Sequence, residues 1–176
     1  MAADTRIEAY AEAMFEVARA EGTIDEVEDE LFRFARALEG SDELRTALTD
    51  PHIPASRRQQ IVEDLLGPRA TSTTTALVSM VVGIGRGRDL PAIIDSLVKK
   101  SAASHNKEVA EVRSVAELNP VQLSRLTDAI EKATGKTIEV KVVIDPSILG
   151  GLVTTVGDTV IDGSVRTRLD QLKNIA

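Results

Sequence analysis

No cysteine occurs in the 176 residues, which removes disulfides, thiolate metal sites and thiol nucleophiles from consideration. Tryptophan is missing too, and aromatic side chains make up 2% of the chain: Tyr10, Phe15, Phe32 and Phe34, all in its first quarter. An interior built instead from Ala, Leu, Ile and Val favours close helix packing over a pocket walled by rings. No apolar run reaches the roughly 18 residues that a membrane-crossing helix needs. The opening Met1 to Asp4 leads straight into an acidic helical pattern, without the order of a secretion signal or the arginines of a transit segment. Direct membrane insertion is therefore not expected. Positive charge is scarce as well, with 21 Lys and Arg against 28 Asp and Glu, a net of -7. The deficit sits early: residues 1–104 carry 12 basic and 18 acidic side chains, the remainder 9 and 10. Nucleic-acid phosphate and anionic membrane surfaces are repelled by such a first part. A basic partner segment would be steered towards it, although a merely solvated face is the plainer reading of the charge.

What is present is helical periodicity. An apolar content of 43% suffices for a packed core. In the first segment Ile7, Tyr10, Ala11, Met14, Val17 and Ala18 recur at steps of three and four, opposite Glu8, Glu12 and Glu16, until Gly22. Thr23-Ile24-Asp25-Glu26 has the form of a capping box, followed by a stripe of Ile24, Val27, Leu31, Phe34, Ala35 and Leu38 that Gly40 stops. Ser41 opens a short helix through Leu44 and Leu48, closed by Asp50-Pro51. Pro54 to Leu66 is a fourth helix. Thr71 to Ile84 is a fifth, with Leu77, Met80, Val81 and Ile84 directed inward. After the Gly85-Arg86-Gly87-Arg88 turn, Asp89 and Pro91 open a sixth, with Ile93, Ile94, Leu97 and Val98 on its face. Short connections between six helices predict an antiparallel bundle over residues 1–104.

The pattern changes at His105-Asn106-Lys107. Glu108 to Val115 reads as a strand. Asn119-Pro120 starts a helix whose apolar side is Val121, Leu123, Leu126, Ile130 and Ala133, ended by Gly135. Ile138, Val140, Val142 and Ile144 alternate as in a half-buried strand. Leu152–Val156 and Thr159–Ile161, joined by Gly157-Asp158, predict a β-hairpin with a type II′ turn. Ser164 caps a last helix holding Val165, Leu169 and Leu172. The expected fold class is thus α+β, a six-helix bundle followed by a small C-terminal α/β domain over 105–176.

Chemistry-bearing patterns are weak. His52 and His105 lie in different segments, without carboxylate or serine neighbours at catalytic spacing. Gly83-Ile84-Gly85-Arg86-Gly87 lacks the next glycine of a dinucleotide fingerprint, because position 88 is Arg. Asp145, Asp158 and Asp162 could form a metal or acid/base set, but each adjoins a turn residue and is expected to bond its own backbone. No Walker loop, Gly-x-Ser-x-Gly elbow or His-Glu-x-x-His occurs. No catalytic residue, cofactor or metal is expected, and a binding or structural protein is the default.

The stretch Ile144 to Leu172 resembles the C-terminal signature of ATP synthase delta subunits, the family that includes the mitochondrial oligomycin-sensitivity-conferring protein. The matching positions are Asp145, Ser147, Gly150, Gly151, Gly157, Asp158, Asp162, Gly163, Ser164, Arg166, Arg168 and Leu169. Tyr10 to Ala18 resembles the family's opening YAxALFxxA pattern, with Met14 for Leu. Gly85-Arg86 with Leu90-Pro91 resembles its turn between the fifth and sixth helices. The family has Leu where this chain has Gly87, a departure expected to loosen that turn.

The resemblance implies a non-catalytic stator subunit that links the catalytic head of an F-type ATP synthase to its peripheral stalk, so that rotation driven by protons is coupled to ATP synthesis. It implies a peripheral position on the cytoplasmic face of a bacterial plasma membrane. It also implies two partners: the N-terminal helix of an alpha subunit on the helical domain, through the first and fifth helices, and the C-terminal end of the b subunit on the second domain. Tyr10, Met14, Ala76 and Met80 are the candidate groove residues for the alpha helix, and each also fits plain core. Gly150 and Gly151 are expected to serve a tight backbone. Two other readings stand beside this one: a helical RNA-binding or antitermination-type module, which the acidic first part opposes, and an enzyme acting through Asp158 and Asp162.

Overall fold

The computed structural model describes residues 2–148, 150–157 and 159–162. The chain divides into two compact units, Met1–Ser101 and Ala102–Ala176. In order the helices are α1 (Ala2–Ala20), α2 (Ile24–Gly40), α3 (Asp42–Thr49), α4 (Ala55–Leu66), α5 (Ser72–Gly83), α6 (Leu90–Ser104) and α7 (Pro120–Thr134). A 3-10 turn, Gly87–Asp89, precedes α6. The strands are β1 (Glu108–Ser114), β2 (Ile138–Ile144), β3 (Leu152–Val156) and β4 (Thr159–Asp162). The boundary between the units falls in the last turns of α6.

Helix ends in the first unit follow from local chemistry. Past α1, Gly22 takes φ 71 while the Thr23 amide bonds the Ala18 carbonyl at 3.0 Å. Past α5, Gly85 takes φ 80 while the Arg86 amide bonds the Val81 carbonyl at 3.0 Å. Both are left-handed helix stops that satisfy otherwise orphaned carbonyls. At the starts, Ser41 Oγ accepts from the Leu44 amide and Thr71 Oγ1 from the Thr74 amide, each at 3.2 Å. The expected capping box at Thr23 does not form. Thr23 has ψ 22, outside the extended region that aims a cap side chain back over the first turn, and it makes no side-chain cap bond.

Ala11, Met14, Phe15 and Ala18 of α1 are buried, as are Val27, Leu31, Phe32, Phe34, Ala35 and Leu38 of α2. Ile93, Ile94, Leu97 and Val98 of α6 join them. The helix α5 is enclosed on most sides, burying Thr73, Thr74, Leu77, Val78, Ser79, Val81 and Val82. This corrects the expected orientation: Val78 and Val82 point inward, whereas Met80 and Ile84 are 44% and 54% exposed. The helix has no charged residue, and its Ser and Thr side chains fall on buried and exposed sides alike, so its pattern carries no phase.

Two polar ties fix α5 from other helices. Glu30 of α2 accepts from the Thr71 amide at 2.9 Å and from the Thr71 hydroxyl at 2.9 Å. Glu21, just past α1, accepts from the Thr73 hydroxyl. Burial of the Glu30 carboxylate opposes its charge, but bonds from Thr74 and Thr71 and the nearby Arg33 outweigh this and hold its pKa below the ordinary 4.5. A lowered native pKa stabilises above the unfolded value and loses that contribution as pH falls through the native one. Glu30→Gln is therefore expected to cost about 1–2 kcal/mol near neutrality. Urea unfolding should show the wild type losing more stability than the variant between about pH 6 and about pH 3.

The second unit is one mixed sheet of order β2-β1-β3-β4. Parallel strands cannot be joined by a tight turn, and here α7 supplies the crossover between β1 and β2, which pair from Glu108↔Ile138 to Ser114↔Ile144. The pairs β1–β3 and β3–β4 are antiparallel. Asn119 and Gln122 form a reciprocal capping box at 2.9 and 3.0 Å, with Pro120 opening α7. Ala110, Val112, Ile138 and Val156 face Ile130 of α7 in a small core, with Leu126, Val140 and Leu152 against it. Val121 and Ala133, expected on the apolar side of α7, are exposed. Val156 pairs with Thr159, closing the β3–β4 hairpin register, and Gly157 takes φ 57. The expected last helix, with Gly163, Ser164, Arg166 and Leu169, lies outside the described residues, as does Asp158.

Candidate docking face on the helical unit

Enclosure of α5 leaves one strip uncovered: Ser72, Ala76, Met80 and Ile84, spaced by four and so stacked along one line. On one side lies α1. The Glu21–Thr73 bond ties its end to the start of α5, and Arg86, just past the end of α5, lies within electrostatic reach of Tyr10. The two helices therefore run past each other in opposite directions. Tyr10 is half-buried on this side and Val17 is 43% exposed. On the other side lies α4, whose Gln59 Nε2 donates to the Ser79 carbonyl at 3.3 Å. A groove of about 720 Å³ runs between α4 and α5, with Gly67, Ser72, Ala76 and Met80 among its lining residues.

Of the four sequence candidates, Ala76 and Met80 lie on this strip and Tyr10 borders it. Met14 does not: it is fully buried, 0% exposed, one turn from both Ala11 and Ala18 in the centre of the buried stripe. Val17 provides the exposed apolar surface of α1 instead. Ile84, Gln59 and Glu63 were missed by the sequence reading. The first was hidden by the lost phase of α5. The other two have the spacing of one helix face, but nothing in the sequence says that this face borders a groove.

The shifted carboxylates have local causes. Bonds from the Ser147 hydroxyl and amide, at 2.6 and 2.9 Å, lower the pKa of Asp145, helped by Arg113. The Asp50 carboxylate accepts from the His52 amide at 2.8 Å, and its pKa is likewise lowered. Both are turns that bond their own backbone. Asp162 closes β4 opposite Val153. Gly150 and Gly151 take φ 119 and 83, angles only glycine adopts without strain. Among the described residues no group of three His, Cys, Asp or Glu is placed to hold a metal, and no helix is long and apolar enough to cross a membrane.

Comparison with known proteins gives the family. The family model described as ATP synthase delta (OSCP) subunit matches residues 7–175, and the chain belongs to that family. It is 41% identical over 152 residues to ATP synthase subunit delta of Streptomyces avermitilis, covering 86% of this chain and 56% of that one. To the same subunit of Desulforudis audaxviator it is 35% identical over 165 residues, covering 94% and 91%. The chain thus spans about half the length of the Streptomyces relative. A chain in the cryo-EM structure of the Toxoplasma gondii mitochondrial ATP synthase hexamer shares the fold, with TM-score 0.59 over 96% of this chain and 95% of that one, at 23% identity.

Proposed function

We propose that this chain is a non-catalytic stator subunit of an F-type ATP synthase, joining the catalytic head to the peripheral stalk. The family match over residues 7–175 carries the reading. On this reading α1–α6 act as an antiparallel bundle that holds the amphipathic N-terminal helix of an alpha subunit over α5, with Tyr10 and Val17 on one border and Ala76, Met80 and Ile84 beneath it. An apolar groove between helices suits such a segment. The second unit holds the C-terminal end of the b subunit. The subunit then sits peripherally on the cytoplasmic face of a bacterial plasma membrane. A stator must not release its partners under load, so buried apolar anchors with slow dissociation matter more than rim charges that speed encounter.

The test is capture of the tagged chain from detergent-solubilised membranes. Co-purification of alpha, beta and b subunits is the expected result. Membranes stripped of the chain should fail to rebind their soluble ATPase portion in a coupled state. Full rebinding and full coupled synthesis without it would overturn the reading.

A further inference from the structure

The groove wall opposite the apolar strip is the α4 ridge of Gln59, Glu63 and Gly67. Gln59 is fixed in place: its amide bonds the Ser79 carbonyl, and its side chain occupies the space where a Cβ on Gly83 would fall, 2.6 Å from Nε2. At the other end Gly67 and Ser72 face each other where the chain passes from α4 to α5. With both ends registered, the rise of the two helices puts Glu63 level with Thr75 and Ala76, one turn from Met80. Glu63 is exposed, and its carboxylate has no hydrogen bond or ion pair among the described residues. Among the described residues it is the single ionisable side chain lining this groove, whose other polar groups are an amide and hydroxyls.

We propose that Glu63 selects the helix that enters this groove, by pairing with a Lys or Arg placed three or four residues from the apolar side chain that covers Met80. The inference rests on the docking reading above and names the chemistry of the partner. On a helix, residues three or four apart share a face, so a basic residue at that spacing meets Glu63 when the apolar anchor meets Met80. Glu63 is exposed, so the pair is worth no more than an ordinary surface pair and is screened by salt. An acidic residue at the same point is repelled, so the contact serves specificity as much as affinity.

The experiment titrates the full chain with a synthetic peptide of the N-terminal segment of the alpha subunit from the same organism, at low and high salt. Glu63→Gln is expected to weaken binding about two- to fivefold at low salt. Glu63→Lys should weaken it by roughly tenfold, and both losses should shrink at high salt. A peptide with its basic residue changed to Gln should no longer distinguish wild type from Glu63→Gln. Wild-type affinity in both Glu63 variants, or a peptide with no basic residue at that spacing, overturns the proposal. In that case weak binding by Met80→Asp keeps the docking reading intact. Wild-type affinity in Met80→Asp as well sinks the docking reading, and the selection by Glu63 with it.

Discussion

On the proposed docking, Met80→Asp is expected to give a folded chain that no longer captures the alpha segment, and Met14→Asp to give no folded helical unit. The two methionines differ in exposure, 44% at Met80 against 0% at Met14. At Met80 the carboxylate stays in water until a partner arrives. Docking then forfeits an apolar anchor worth about 1.5–3 kcal/mol and adds about 1–3 kcal/mol for a polar group covered without a bond. Together these weaken binding by about a hundredfold or more. At Met14 the same substitution removes a filled core position at about 2–5 kcal/mol and strands a charge in the interior at several more. That matches or exceeds the roughly 5–15 kcal/mol holding a domain together. Circular dichroism separates the outcomes, and peptide titration of the folded variant gives the affinity. Met14→Leu should cost less than about 1.5 kcal/mol and bind normally.

Gly87→Ala is expected to destabilise, against the usual sign. Replacing glycine by alanine ordinarily gains about 0.4–1 kcal/mol by restricting the unfolded chain. Here a Cβ would lie 2.7 Å from the Leu48 carbonyl oxygen and 3.4 Å from Thr49 Cγ2, at the end of α3. The oxygen belongs to backbone and cannot swing aside, so α3 or the 3-10 turn has to shift. The net cost should be about 1–3 kcal/mol, and more for Gly87→Leu, read as a lowered urea midpoint with unchanged slope. A stabilised alanine variant would show that the turn has room. The family's leucine at this position led the sequence reading to expect a looser turn. The structure shows the opposite: the missing side chain lets the turn settle against α3.

Most helix limits were legible because single residues set them: Gly22 and Gly85 by their left-handed angles, Ser41 by its hydroxyl, Asn119-Pro120 by its capping box; the start of α5 was not, because any residue of its Thr run could cap it. Where the sequence misled, competing choices looked alike. Thr23 and Glu26 have the spacing of a cap, yet the backbone at Thr23 turns the hydroxyl away. The apolar residues of α5 fit several phases, and only packing against its neighbours shows that Met80 and Ile84 are left outside. The candidate strip was half readable for that reason: Ala76 and Met80 lie on it, Met14 takes the core alternative that the sequence left open, and Glu63 required knowing that α4 lies alongside.

The polar ties on α5 also bear on force. Its first residues are gripped from α2 by Glu30 and from the end of α1 by Glu21, and its carbonyl at Ser79 is held from α4 by Gln59. A pull on anything seated along the strip is thereby shared among three neighbours as sliding shear. If the proposed stator role holds, spreading the load in this way is what a coupling under repeated torque would need.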